Sequence, residues 1–112
     1  MEGGHALKRG EVWWCDISEP DGRRPALILT RDSAIPFLNA LVVAPLTTTL
    51  RPSPTFVHLS LEDGVFADCA VNCDRLLTVP KRSLSEYITT LTGARIREVR
   101  DAVAFALGLD AS

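Results

Sequence analysis

The sequence predicts a mainly β domain: a small, curled antiparallel barrel of five or six short strands with a helix packed against it at the C-terminal end. Three observations point there. Short apolar, β-branched runs recur between Pro-, Gly- and Asp-rich breaks from residue 10 to residue 79. Helical periodicity appears only afterwards, over residues 93–107. Finally, 112 residues with 46% hydrophobic content suit one core rather than two.

The first seven residues read as a short flexible tail, which leaves residues 8–112 as a single domain. Residues 10–17, GEVWWCDI, have the aromatic and β-branched content of a strand, with Val12, Trp14 and Asp16 on one face. SEPDGRR, residues 18–24, is expected as a loop because it holds a proline and an Asp-Gly turn signal. PALILT, residues 25–30, is apolar on both faces and so reads as a central strand. Residues 31–39 are expected to hold a helical turn begun at Asp32 or Ser33 and broken near Pro36. ALVVAPLT, residues 40–47, is a second buried strand, followed by the polar loop TTTLRPSP. TFVHLSL, residues 55–61, alternates as a strand does, and EDG turns the chain. Residues 67–79 are expected to contain a longer strand with Asn72 and Asp74 on the face opposite Cys73 and Arg75. Thr92 caps the helix over 93–107, Ile96, Val99, Val103 and Leu107 form its apolar stripe, Arg95, Arg97 and Arg100 its wet side, and Gly108 its stop.

Composition narrows the function. No apolar stretch approaches the roughly 18 residues that span a bilayer, and the N-terminus lacks the apolar core of a signal peptide, so no membrane partner and a cytoplasmic location are expected. Cys15, Cys69 and Cys73 have no CxxC spacing, and His5 and His58 stand apart, so the cysteines are expected as reduced thiols, with no metal site and no cofactor. A net charge of −2 argues against nucleic-acid binding through the bulk field alone. The charge is segregated, however: residues 23–54 carry four arginines against one aspartate. Ten of the twelve basic residues are arginine, whose planar fork suits phosphate.

Two loops therefore stand out. One presents Arg23 and Arg24 before the central strand; the other presents Thr47, Thr48 and Thr49 after its neighbour. Arg24 precedes Pro25, which restricts its backbone to extended conformations and aims its side chain. A guanidinium and a hydroxyl converging on one point can hold a phosphate. The plainer alternative is a structural pair from arginine to Asp16 or Asp74, with the threonines closing a strand. Spacing alone leaves both open. Trp13 or Trp14 could stack a base, although core packing is the simpler expectation.

KRGEVWWCDI, RRPALILT, LVVAPLTTT and VNCDRLLTV resemble, in order, the four signature segments of the MazF/PemK (Kid) toxin family, and the resemblance runs from about Lys8 to Leu109. It implies a PemK/CcdB-type SH3-like barrel, a homodimer and a sequence-specific endoribonuclease that works without a metal. The substrate implied is single-stranded RNA, cut by 2′-OH attack to leave 2′,3′-cyclic phosphate and 5′-hydroxyl ends, and the protein partner implied is a cognate antitoxin. By resemblance Arg24 and Thr47 are the catalytic pair and Asp74 joins them, as in the Kid branch. Arg23, Thr48, Thr49, Arg51, Asn72 and Arg75 are the RNA-binding candidates around them. The chain departs from the pattern twice: its first loop is short and lacks the Gly-(Ser/His)-Glu-Gln stretch, and Asn72 stands where the Kid branch carries arginine. Two other readings share the barrel: a CcdB-type gyrase poison, disfavoured by a C-terminus ALGLDAS without tryptophan, and a non-catalytic SH3-like protein-binding module.

Overall fold

A computed structural model describes residues 6–17 and 22–110. Most of the expected N-terminal tail and positions 18–21 of the first loop lie outside the described residues. The strands are β1 (Glu11–Ile17), β2 (Gly22–Ile28), β3 (Ala40–Thr47), β4 (Phe56–Leu59), β5 (Cys69–Asn72), β6 (Leu77–Pro80) and β7 (Leu84–Thr90), followed by helix α1 (Gly93–Leu107). They form one antiparallel sheet in the order β4-β5-β3-β2-β1-β7, and β6 joins β3 beside β5. The mainly β class with a C-terminal helix is therefore the observed one. The sheet curls without closing, since the path of paired strands ends at β4 and β7.

The central strands bury both faces, as their unbroken apolar content requires. One face gathers Val12, Leu27, Ala44 and Leu46 with Val57, Leu59 and Val71, and α1 covers it with Val99 and Ala102. The other gathers Trp13, Cys15, Ala26, Ile28, Leu41 and Val43, sealed by Ile35, Val79 and Leu84. Each fully buried Leu or Ile in these layers contributes about 1.5–3 kcal/mol. Trp13 belongs to the second layer; its Nε1 donates to Glu11 Oε1 at 3.0 Å.

Several expectations shift. β2 starts at Gly22, so Arg23 and Arg24 lie within the strand, opposite Asp16 and Cys15, rather than in the loop before it. Pro36 does not break a turn; it sits in the first positions of the 3-10 turn Ile35–Phe37, where its missing N–H costs nothing. The long strand expected over 67–79 is two short ones. Asn72 folds its Oδ1 back to accept from the Asp74 N–H at 3.0 Å, and this side-chain turn ends β5 before Asp74 and Arg75. β7 was not anticipated at all: Ser85, Glu86 and Tyr87 are exposed, which masks its apolar signal, yet it pairs along β1. The helix has the expected bounds, with Thr92 Oγ1 accepting from Arg95 N and Gly108 in the left-handed conformation. Within it, Leu107 is exposed and Ala102 takes the buried place, while Arg95 leaves the wet side to bind Asp63. No helix among the described residues is long and apolar enough to cross a membrane.

Candidate active site

The site begins with a missing hydrogen bond. β2 pairs β3 as Ala26–Pro45, Leu27–Ala44 and Ile28–Val43. Leu29 N–H donates to Val42 O at 2.9 Å, so by the alternation of antiparallel pairs Pro25 and Leu46 fall at a hydrogen-bonded position. Proline has no N–H to give. Arg24 Nη1 reaches the Leu46 carbonyl instead, at 3.4 Å. Continuing the register by one more residue sets Arg24 across from Thr47, with both side chains on the same face of the sheet. A central strand pair thus carries a guanidinium and a hydroxyl side by side on a rigid support.

Arg24 and Thr47 line one open cleft of about 320 Å³, together with Thr49, Arg51, Asn72, Asp74 and Arg75. Seven of the nine candidates named from sequence converge there. Thr47 Oγ1 accepts from the Thr49 N–H at 3.1 Å, which turns the hydroxyl and leaves its own hydrogen to donate. Arg51 is held through its carbonyl, 3.1 Å from His58 Nε2, so that histidine shapes the loop. Asp74 sits in the turn after β5, and its Oδ2 accepts from Thr55 Oγ1 at 2.6 Å. Thr55 is buried and shares its hydroxyl with Ser53 Oγ at 2.8 Å. Sequence reasoning missed Thr55 because it reads as the first residue of the strand TFVHLSL, and it missed Phe56, which forms an apolar wall of the cleft.

Arg23 and Thr48 lie elsewhere. Alternation along β2 sends Arg23 to the opposite face, where its guanidinium sits 4.7 Å from the centre of the Trp14 ring and pairs with Glu86. Thr48 lines a second, apolar pocket with Trp14 and Phe66. The thiols take no part in the cleft: burial pushes Cys15 and Cys73 up to about 11, helped by Asp16 and Asp74, and burial also raises Cys69. Among the described residues no three His, Cys, Asp or Glu side chains are grouped as metal ligands would be.

The family model described as "PemK-like, MazF-like toxin of type II toxin-antitoxin system" matches residues 8–107. The chain belongs to this toxin family. Among curated relatives, the probable endoribonuclease MazF5 of Mycobacterium tuberculosis is 40% identical over 100 residues, covering 88% of this chain and 91% of its own. The probable endoribonuclease MazF2 of the same species is 36% identical over 103 residues, covering 91% and 99%. Among solved structures, an endoribonuclease in complex with its cognate antitoxin from a mycobacterial species superposes with a TM-score of 0.84 at 32% identity, covering 96% of this chain and 100% of that one. The Mycobacterium tuberculosis toxin MazF-mt6 superposes with a TM-score of 0.82, also at 32% identity, covering 89% and 98%. The PemK/MazF resemblance carried by the four signature segments is thereby borne out, and the cleft lies where three of those segments meet: the start of β2, the end of β3 and the turn after β5.

Proposed function

We propose that this chain is the endoribonuclease toxin of a type II toxin–antitoxin pair, acting in the cytoplasm on single-stranded RNA. The observation that carries the reading is the placement of Arg24 and Thr47 on one face, across adjacent central strands, in a cleft that also holds Asp74, Arg51 and Arg75. Three arginines around one opening suit a polyanion, and an open cleft rather than an enclosed cavity suits a chain that must pass through it.

Cleavage by the neighbouring 2′-OH needs little covalent help, because the nucleophile is already tethered to its target. The 2′ oxygen bonds to phosphorus, the P–O5′ bond breaks, and the products are a 2′,3′-cyclic phosphate and a 5′-hydroxyl. Arg24 and Thr47 donate to the non-bridging oxygens and stabilise the charge that builds there, a contribution of roughly 10²–10³ in rate for each preorganised donor. Asp74, aimed by Thr55, accepts the 2′-OH proton. The departing O5′ takes a proton from Arg24, which is returned from the Asp74 carboxylic acid through solvent. None of these steps calls on a metal. Asn72, Thr49, Arg51 and Arg75 line the path of the RNA.

The antitoxin partner is supported by the cognate complex of the mycobacterial relative. A homodimer is supported by large apolar side chains left exposed at Phe37 and, near the end of α1, at Phe105, Leu107 and Leu109. Light scattering on the eluting protein should give about twice the 12.2 kDa chain mass.

The test is incubation of purified protein with mixed-sequence single-stranded RNA in EDTA, followed by analysis of the ends. Discrete cuts with cyclic-phosphate termini are expected, and Arg24→Ala should abolish them with little change in the thermal midpoint. Intact RNA after incubation with a folded wild-type protein would overturn the proposal.

A further inference from the structure

We propose that the apolar pocket of about 170 Å³ between Trp14, Pro25 and Phe66 is a nucleobase subsite, which receives the base of a nucleotide flanking the phosphate held by Arg24 and Thr47. The inference deepens the endoribonuclease reading and rests on it. Its first support is continuity. Thr47 lines both this pocket and the cleft that holds Arg24, so a ribose attached to a phosphate in the cleft carries its base toward the pocket mouth. Because Thr47 is the last residue of β3, the passage runs around the end of the strand rather than through the sheet.

The second support is chemistry. A base has flat apolar faces and polar edges. The pocket offers an aromatic wall of Phe66 stacked on Trp14, with centroids 5.7 Å apart and planes at 24°, and Thr47 and Thr48 border it on the side of the cleft. Phe66 keeps 68% of its surface exposed, so the ring is open to a further stacking partner. Beyond Trp14 the Arg23 guanidinium, paired with Glu86, lies over the indole ring and fixes that side of the aromatic wall.

The third support is that the ring is held ready. The segment before Phe66 is fastened to the rest of the molecule at two points, Asp63 binding Arg95 of α1 at 3.0 Å and Thr89 Oγ1 donating to the Asp63 carbonyl at 3.0 Å, and is braced within itself by the Ser60 N–H, which donates to Asp63 Oδ2 at 2.9 Å. Val65 is buried in the first core layer. A surface aromatic on so well-fastened a loop loses little entropy when a base stacks on it.

The experiment uses a short RNA built around a mapped cut, with each nucleotide flanking the cut replaced in turn by an abasic one. For wild-type protein, one abasic position should lower kcat/KM by roughly 5- to 150-fold, the range of a single base–aromatic stack. Phe66→Ala should lose a similar factor on the intact RNA and then respond little to that abasic position, so that the two losses do not add. Phe66→Trp should retain activity. A second measurement needs no turnover: in an RNA blocked by 2′-deoxyribose at the cut, 2-aminopurine at that same position should be quenched by the wild type and by Arg24→Ala, and not by Phe66→Ala. Cleavage that is indifferent to Phe66, or losses that simply add, would overturn the subsite while leaving the nuclease standing; absence of any cleavage by wild type would overturn the nuclease reading and the subsite with it. Unchanged cleavage by Phe66→Ala together with lost neutralisation by the antitoxin would also overturn the proposal, and would give the pocket to that protein partner.

Discussion

At the scale of single residues, Pro25 matters as much as Arg24. By withholding an N–H from the Leu46 carbonyl, the proline leaves an acceptor that the guanidinium takes up, and this contact holds Arg24 beside Thr47. Pro25→Ala would restore a ladder donor and release the arginine. We expect cleavage to fall by about 10- to 100-fold, the effect of a misplaced catalytic group, with the unfolding midpoint unchanged or slightly raised; single-turnover kinetics beside a melting curve measure both. Thr55 makes the complementary case. Its hydroxyl is buried and donates to Asp74, so Thr55→Val removes a hydrogen bond at a cost of about 1–3 kcal/mol. With Asp74 as the proposed acceptor of the 2′-OH proton, the same variant should lower kcat with little change in KM, whereas a merely structural threonine would lower stability and leave kcat in place. That Arg24, Thr47 and Asp74 meet in one cleft was legible in the sequence because they stand in signature segments. Thr55 was not, because its role arises only when the turn after β5 brings a residue nineteen positions away against it.

At the scale of elements, the readable parts were those whose signal is local. β3 and α1 have the expected bounds, one from an uninterrupted apolar run and the other from a cap, a stripe and a terminal glycine. Two of the departures have a tertiary cause. β5 and β6 look continuous in sequence and are split by a side-chain turn at Asn72 so that each can pair a different half of β3. β7 lacks alternation because much of it faces solvent, and it is a strand by virtue of pairing with β1. The link between β4 and β5 is just as dependent on context. Gly64 has φ of +90°, and a Cβ added there would sit 2.3 Å from Thr89 Oγ1. Gly64→Ala should therefore cost more than the roughly 1–2 kcal/mol of a left-handed L residue, since it also displaces Thr89 from the Asp63 carbonyl. Gly22→Ala, at φ +67° with nothing within 4 Å, should cost only the conformational part. Urea unfolding of the two variants separates the terms, and equal losses would remove the Thr89 contact from the account.

At the scale of the whole molecule, acid and alkali should attack different parts of the structure. Hydrogen bonds from Arg95 hold the Asp63 carboxyl below its ordinary value of 3.8, outweighing the opposing effect of burial. A depressed folded-state pKa means that the unfolded chain binds the proton more readily, so this pair stabilises the fold above pH 3.8 and ceases to do so as the pH falls through the lowered value. The loss has a location: it frees α1 from the turn that presents Phe66. The thiols act with the opposite sign. Cys15 and Cys73 are raised from 9.0 to about 11 by burial, so their contribution is complete below pH 9 and disappears as the pH climbs through 11, when an unfolded chain would ionise them freely. A plot of thermal midpoint against pH should thus be flat from about 5 to 8 and fall at both ends. Asp63→Asn should lower the plateau and flatten the acid limb alone, while Cys73→Ala should leave that limb intact and soften the alkaline one. An acid limb of unchanged steepness in Asp63→Asn would mean that the helix and the aromatic pocket are joined by something other than this ion pair.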